Sequence, residues 1–280
     1  MIQDNGKDRL NNTYKPDARP GVNDRILYYG EGAFLFIENE DGSLSMPQKG
    51  DYPNAFECIY LFSMGDVSYF RCLEKPKGEK RFITMDLRTV RSLKAFEQKE
   101  VFALFTAWHL IDWYDSNRYC GRCGAEMIQD TVERALVCPE CGHKIYPRIN
   151  PAVIVGVIKG DCLLITRYRT GYAHNALVAG FAEIGETLEE TVQREVMEET
   201  GVRVRNIRYY KSQPWGMAQD LLMGFYCEAE EDAVIRMDPN ELKYAEWVRR
   251  EDIVLQPNDL SLTNEMMKQF KAGRETAGDQ

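Results

Sequence analysis

Leu177-Val-Ala-Gly180-Phe-Ala-Glu-Ile-Gly185-Glu186 runs on through Thr187-Leu-Glu-Glu-Thr-Val-Gln193 and ends in Arg194-Glu-Val-Met-Glu-Glu199-Thr-Gly201-Val202. Residues 177–179 read as the end of a strand. Gly180 and Gly185 mark a loop, Thr187 or Glu186 opens a helix, and Gly201 stands where a C-cap glycine belongs. On a wheel of about 100° per residue, Leu188, Thr191, Val192 and Val196 form one inward stripe. Glu195 and Glu199 fall inside that stripe, with Glu198 on its margin. Buried carboxylates are costly unless cations pair with them. Most Glu-rich helices are solvated faces laced with salt bridges, but here two glutamates one turn apart share the apolar azimuth. They can converge on one divalent ion. Oxygen ligands of this kind suit Mg²⁺ or Mn²⁺, with positions left open for water and phosphate oxygens.

Upstream, Cys120-Gly-Arg-Cys123 and Cys138-Pro-Glu-Cys141 are two C-x-x-C pairs with fourteen residues between them. Each resembles a tight turn with two thiolates on one side, and a hairpin of this length can bring the pairs together. Four thiolates suit tetrahedral Zn²⁺ with every position filled, which makes the ion structural. The glycines after Cys123 and Cys141 fit the positive φ of such turns. Disulfides conflict with a reducing compartment, and a redox motif is not usually duplicated at ribbon spacing. His143 lies close by, but four sulfurs complete the site. The other four cysteines (Cys58, Cys72, Cys162 and Cys227) stand in apolar or strand-like contexts and read as small buried hydrophobes.

A chain of 280 residues has room for two or three domains. Residues 1–24 are polar, punctuated by Pro16, Pro20 and Gly21, and read as a disordered segment without the apolar core of a signal peptide. From 25 to 117, short β-branched or aromatic runs (26–29, 33–37, 57–62, 67–73, 81–85) precede a helical pattern over 95–114, which makes a β-rich N-terminal domain. The ribbon takes 118–147, alternating strands and helices of α/β (α+β) character fill 148–271, and 272–280 is a polar tail. The longest apolar stretches, 101–111 and 152–158, are too short to cross a bilayer, so the expected location is cytoplasmic. A net charge of -9 speaks against non-specific nucleic-acid binding. It admits a small anionic ligand, because bound divalent ions reverse the local sign. The three histidines, His109, His143 and His174, stand in no catalytic motif, and no G-x-G-x-x-G opens a strand–helix unit.

Gly180, five residues, Glu186, seven residues, Arg194-Glu195-Val196, one residue, Glu198-Glu199, one residue, Gly201-Val202 resembles the complete Nudix box. The resemblance implies an α/β/α sandwich around a mixed sheet, in which this loop–helix–loop binds metals, and hydrolysis of a nucleoside diphosphate linked to another group. A zinc ribbon directly ahead of it, behind a β-rich domain, resembles the NADH pyrophosphatase (NAD diphosphatase) family across nearly the whole chain. Tyr146-Pro147-Arg148 leads into a strand as in that family, and Ser212-Gln-Pro-Trp215 starts its specificity signature. There the match breaks. The family continues Pro-Phe-Pro, any residue, Ser; this chain has Gly216-Met217-Ala218-Gln219-Asp220. Gly216 removes a φ constraint and Met217 replaces a ring with a thioether, which leaves the substrate more open than the reaction.

The resemblance implies metal ligation by Glu195, Glu199 and Glu241 and by the main-chain carbonyl of Ala179. Glu198 is a further acidic residue of the catalytic set, and Arg194 holds the glutamates by ion pairing. Glu133 and Tyr146 match positions that contact the dinucleotide; Gln213, Pro214, Trp215, Gly216, Met217, Ala218, Gln219 and Asp220 match the substrate-binding segment. Two or three Mg²⁺ or Mn²⁺ ions would serve hydrolysis of NAD(H) to NMN(H) and AMP, with one structural Zn²⁺. NAD-capped RNA, ADP-ribose or a dinucleoside polyphosphate are alternative substrates. A ligand-sensing Nudix protein without turnover is a rival from another class; it predicts lost box glutamates, and all are retained. A ribbon acting as a nucleic-acid adaptor predicts a basic surface, yet Arg122, Arg134 and Lys144 face Glu126, Asp130, Glu133 and Glu140 in number. The expected partners are a small dinucleotide and a second copy of the chain in a homodimer, with no membrane.

Overall fold

The computed structural model describes residues 1–52, 56–75, 81–170 and 174–275; residues 276–280 of the expected polar tail lie outside the described residues. The chain divides into two compact units. One comprises Met1, Ile149–Trp215 and Asp220–Gln280; the other comprises Ile2–Arg148 and Gly216–Gln219.

The first unit is organised by the strand Asn150–Lys159. Its apolar run alternates faces: Ala152 and Ile154 join one hydrophobic cluster, while Val153, Val155 and Val157 join another. A strand covered on both faces needs this near-continuous apolar sequence. It pairs parallel with Asp220–Ala229 and antiparallel with Val178–Phe181 and Cys162–Tyr168. Val204–Trp215 and Leu242–Arg249 complete a mixed six-stranded sheet. The helix Leu188–Thr200 covers one face through Val192 and Val196. The helix Leu262–Lys271 covers the other through Leu262, Met266, Met267 and Phe270. The result is the α/β/α sandwich that the box resemblance implies.

In the second unit, Leu10–Asn11, Cys58–Met64, Val67–Cys72 and Arg25–Leu27 form one four-stranded sheet. Tyr29–Gly30, Ala33–Glu38, Leu44–Ser45 and Phe82–Met85 form a second, and the helix Gln98–Ser116 buries Val101, Phe102, Leu104, Phe105 and Ile111. The helix starts three residues later than its apolar pattern, because Glu97 and Glu100 form a capping box there. The expectation of disorder over residues 1–24 is corrected. Leu10 and Asn11 pair with Met64 and Ser63, and Ile2 is fully buried. Backbone pairing of two residues leaves no trace in a polar composition. The ribbon follows as three short strands, Ile128–Gln129, Leu136–Val137 and Lys144–Ile145, with the middle one central.

Candidate metal sites and active site

The helix that carries the box is fixed at both ends. Thr187 caps it: its hydroxyl accepts from the Glu190 N–H at 3.2 Å, and the Glu190 carboxylate accepts from the Thr187 N–H at 2.7 Å. Gly201 ends it with φ 68, the left-handed conformation that a side chain resists. With both ends set, the azimuth of every residue follows. Thr191, Val192 and Val196 are fully buried, and Glu199 is only 2% exposed. Glu195 is half-buried, Glu198 is exposed, and Leu188 is less buried than the wheel suggests.

Arg194 organises the acidic residues. Its Nε and Nη2 donate to the two oxygens of Glu186 at 2.6 and 2.9 Å, and Nη2 also donates to the Phe181 carbonyl at 2.9 Å. Nη1 donates to Glu195 at 2.7 Å and to Glu198 at 3.0 Å. The guanidinium beside Glu186 holds that carboxyl down to about 2, and the three glutamates push Arg194 up from its ordinary value. A planar fork with fixed donors is suited to this work, and a lysine would not replace it.

Glu199 faces inward and makes no ion pair among the described residues. The Tyr168 hydroxyl, at the end of the strand Cys162–Tyr168, donates to its carboxylate at 3.1 Å and accepts from the Ala179 N–H at 3.0 Å. Burial pushes Glu199 up to about 8, and the charges of Glu195 and Glu241 push in the same direction. Burial likewise raises Glu195, with Glu198 and Glu241 adding to it against the pull of Arg194. Gly180 pairs with Val153 on the face that the helix covers, and a Cβ there would overlap the Glu195 carboxylate. The exposed Glu241 is brought toward the helix by its loop, whose Arg236 and Asp238 amides donate to the Thr200 and Glu199 carbonyls at 2.7 and 2.8 Å.

Among the described residues, one set of ligand atoms already lies together within 4.8 Å: the sulfurs of Cys120, Cys123, Cys138 and Cys141. Cys123 lies 3.4 Å from Cys138 and 3.6 Å from Cys141, and Cys120 lies 3.6 Å from Cys141. The Arg122 amide donates to the Cys120 sulfur at 3.4 Å, and this bond and other backbone donors shift that thiol down from its ordinary value. Four sulfurs at this spacing fit a closed structural Zn²⁺ site. Cys138→Ser is expected to abolish stoichiometric zinc, read by elemental analysis, and to expose the ribbon amides to hydrogen exchange. Structural zinc supplies ~10–16 kcal/mol in small zinc-finger peptides, more than three short strands can replace.

Residues 148–270 match the NUDIX domain, and residues 115–146 match the NADH pyrophosphatase zinc ribbon domain. Residues 148–270 are a Nudix domain. It is 44% identical over 151 residues to the NAD-capped RNA hydrolase NudC of Shigella flexneri, a match covering 53% of this chain and 58% of that protein. The NudC of Escherichia coli O1:K1 / APEC is 43% identical over the same extent. The match thus spans little more than half the length of these relatives. A solved Nudix hydrolase from Nitrosomonas europaea is 22% identical with a TM-score of 0.49, covering 57% of this chain and 93% of that one.

The segment following the Nudix box divides between roles. Gln213, expected to touch substrate, is fully buried; its Nε2 donates to the Leu260 carbonyl at 2.8 Å and its Oε1 accepts from the Leu262 N–H at 2.7 Å. Those bonds anchor the start of the last helix. Gly216 is buried, and a Cβ there would overlap the Phe105 carbonyl, which explains why proline is not accommodated at this position. Gln219 has φ 58 and exchanges side-chain hydrogen bonds with Arg148 and Asp112. Pro214 and Ala218 are exposed, Met217 is half-buried, and Trp215 packs partly against the cluster under the last helix. Asp220 is buried. On the ribbon, the Tyr146 hydroxyl donates to Glu133 at 2.9 Å and Lys144 donates to the same carboxylate at 3.0 Å, so the two expected contact residues form one exposed pair.

Sequence reasoning missed Tyr168 and Phe181. Tyr168 belongs to no motif, and its reach to Glu199 exists only once the strand and helix pack. Phe181 lies inside the box, and its exposure of 50% is the signal that an aromatic there serves no core.

Proposed function

We propose that this chain is a metal-dependent pyrophosphohydrolase that cleaves the diphosphate of NAD(H) to NMN(H) and AMP. The observation that carries the reading is Glu199, a carboxylate 2% exposed that lies near Glu195 and Glu241 and makes no ion pair among the described residues. An acidic cluster of this kind, cradled at a glycine and held by one arginine, fits divalent cations. Glu195, Glu199, Glu241 and the Ala179 carbonyl would hold Mg²⁺ or Mn²⁺, with Glu198 at the outer margin. Such ions, when bound, lower the pKa of water and neutralise pyrophosphate oxygens. The chain's own residues do the positioning. Arg194 fixes Glu195 and Glu198, Glu186 fixes Arg194, and Tyr168 ties Glu199 to the strand end at Ala179.

The names of the NudC relatives favour NAD-capped RNA as a second substrate with the same scissile bond. The acidic net charge favours the free dinucleotide over long RNA. The chain is further proposed to act as a cytoplasmic homodimer. Incubation of NADH with Mg²⁺ or Mn²⁺, followed by chromatography, is expected to yield NMNH and AMP in equal amounts. Release of nicotinamide instead, or no cleavage with either ion, would remove this reading.

A further inference from the structure

Two cysteines that belong to no motif stand opposite one another in the second unit. Cys58 opens the strand Cys58–Met64, Cys72 closes the strand Val67–Cys72, and the two are direct partners in the antiparallel register. The next pair outward carries a ladder hydrogen bond, in which the Leu73 N–H donates to the Glu57 carbonyl at 3.3 Å. Antiparallel pairs alternate between bonded and non-bonded, so Cys58 and Cys72 are a non-hydrogen-bonded pair. The Cα atoms of such a pair are about 4.5 Å apart, with both side chains on one face. That separation lies inside the window of about 4.4–6.8 Å in which disulfides close. Both side chains pack with Ile26, Tyr52, Tyr60 and Phe70, which fixes the face they share.

The two sulfurs differ in a way that sets an order of reaction. Cys72 is 2% exposed, and its thiol donates to the Glu74 carbonyl at 3.0 Å. Cys58 is half-buried; burial raises its thiol, and the charges of Arg19 and Lys49 pull it back down. Cys58 is therefore the sulfur that a reagent reaches first, and the two cations beside it suit an anionic reagent. We infer that Cys58 and Cys72 are a dithiol site that a small anionic disulfide oxidises to a cross-strand disulfide and that small thiols reduce again. In the first step the Cys58 thiol gives its proton to water and the thiolate attacks one sulfur of the reagent. The reagent's S–S bond breaks, and its released half takes up a proton. In the second step the Cys72 thiolate attacks the Cys58 sulfur of the mixed disulfide, the Cys58–Cys72 bond forms, and the second half leaves as a thiol. Two electrons pass from the cysteine pair to the reagent, and one disulfide replaces another.

The test equilibrates the zinc-loaded protein with glutathione disulfide, blocks free thiols with iodoacetamide and digests with trypsin, which cuts after Arg71 between the two cysteines. Wild type is expected to give two peptides joined through Cys58 and Cys72, lighter by two hydrogens than the separate thiols. Reduced glutathione is expected to restore both thiols. Cys72→Ala is expected to trap the first step as a stable glutathione adduct on Cys58, which wild type does not accumulate. Cys58→Ser is expected to slow modification of Cys72 by about tenfold or more, because the accessible sulfur is gone. The wild-type readings decide the pairing even where a variant fails to fold. Alkylated thiols at both positions of wild type, a glutathione adduct that persists on its Cys58, or a link from either cysteine to a different one overturns the site. Modification of Cys72 in Cys58→Ser at the wild-type rate overturns the order of attack.

Discussion

Glu199→Gln is expected to lower kcat for NADH by about 10³-fold while making the protein more stable in buffer free of divalent ions. The two effects have one cause. The carboxylate is 2% exposed and makes no ion pair among the described residues, so its charge costs the fold and is available to a metal. Losing one metal oxygen forfeits several kcal/mol of charge stabilisation, and about 4 kcal/mol corresponds to that rate factor. The stability term has a definite sign. Burial raises the Glu199 pKa from 4.5 to about 8, so the folded state disfavours the ionised group. Such a group costs nothing below its unfolded pKa, and the cost grows as pH climbs toward 8. Urea midpoints for wild type and variant should therefore coincide near pH 4.5 and separate by pH 8, with the variant higher by on the order of 1–3 kcal/mol. A fully active variant, or one less stable than wild type at pH 8, would show that Glu199 is an ordinary structural residue.

The inward placement of Glu199 was legible from the sequence because it depends on local periodicity alone. A helix with Thr187 at one end and Gly201 at the other has one azimuth for each residue, and Val192 and Val196 name the buried one. The cysteine spacing was legible for the same reason, since each C-x-x-C is a local turn. What was not legible depends on packing between distant segments. Tyr168 reaches Glu199 from a strand thirty-one residues away, and no pattern in either segment encodes the meeting. Gln213 reads as part of the signature, and its bonds to Leu260 and Leu262, forty-seven and forty-nine residues on, are not visible in that motif. Residues 1–24 looked disordered because a two-residue strand uses backbone groups that every sequence has.

The second large effect is expected at Gly180, which carries no chemistry of its own. Its φ is not in the left-handed region, so backbone freedom does not explain the glycine. Space does. Gly180 faces the box helix, and an added Cβ would occupy the volume of the Glu195 carboxylate. That carboxylate cannot yield freely, because Arg194 holds it at 2.7 Å while also gripping Glu186 and Glu198. Gly180→Ala should thus leave zinc content and secondary structure intact and displace Glu195 by about 1 Å. A misplacement of that size in a reacting constellation costs about 10² in rate. The assignment of that loss to Glu195, and not to a damaged strand, follows from a double-mutant cycle. If Gly180→Ala acts by moving Glu195, the double variant with Glu195→Gln should be no slower than Glu195→Gln alone. Additive losses would mean that the alanine disturbs the strand Val178–Phe181 as a whole, and the cradle would then have no part in placing the carboxylate.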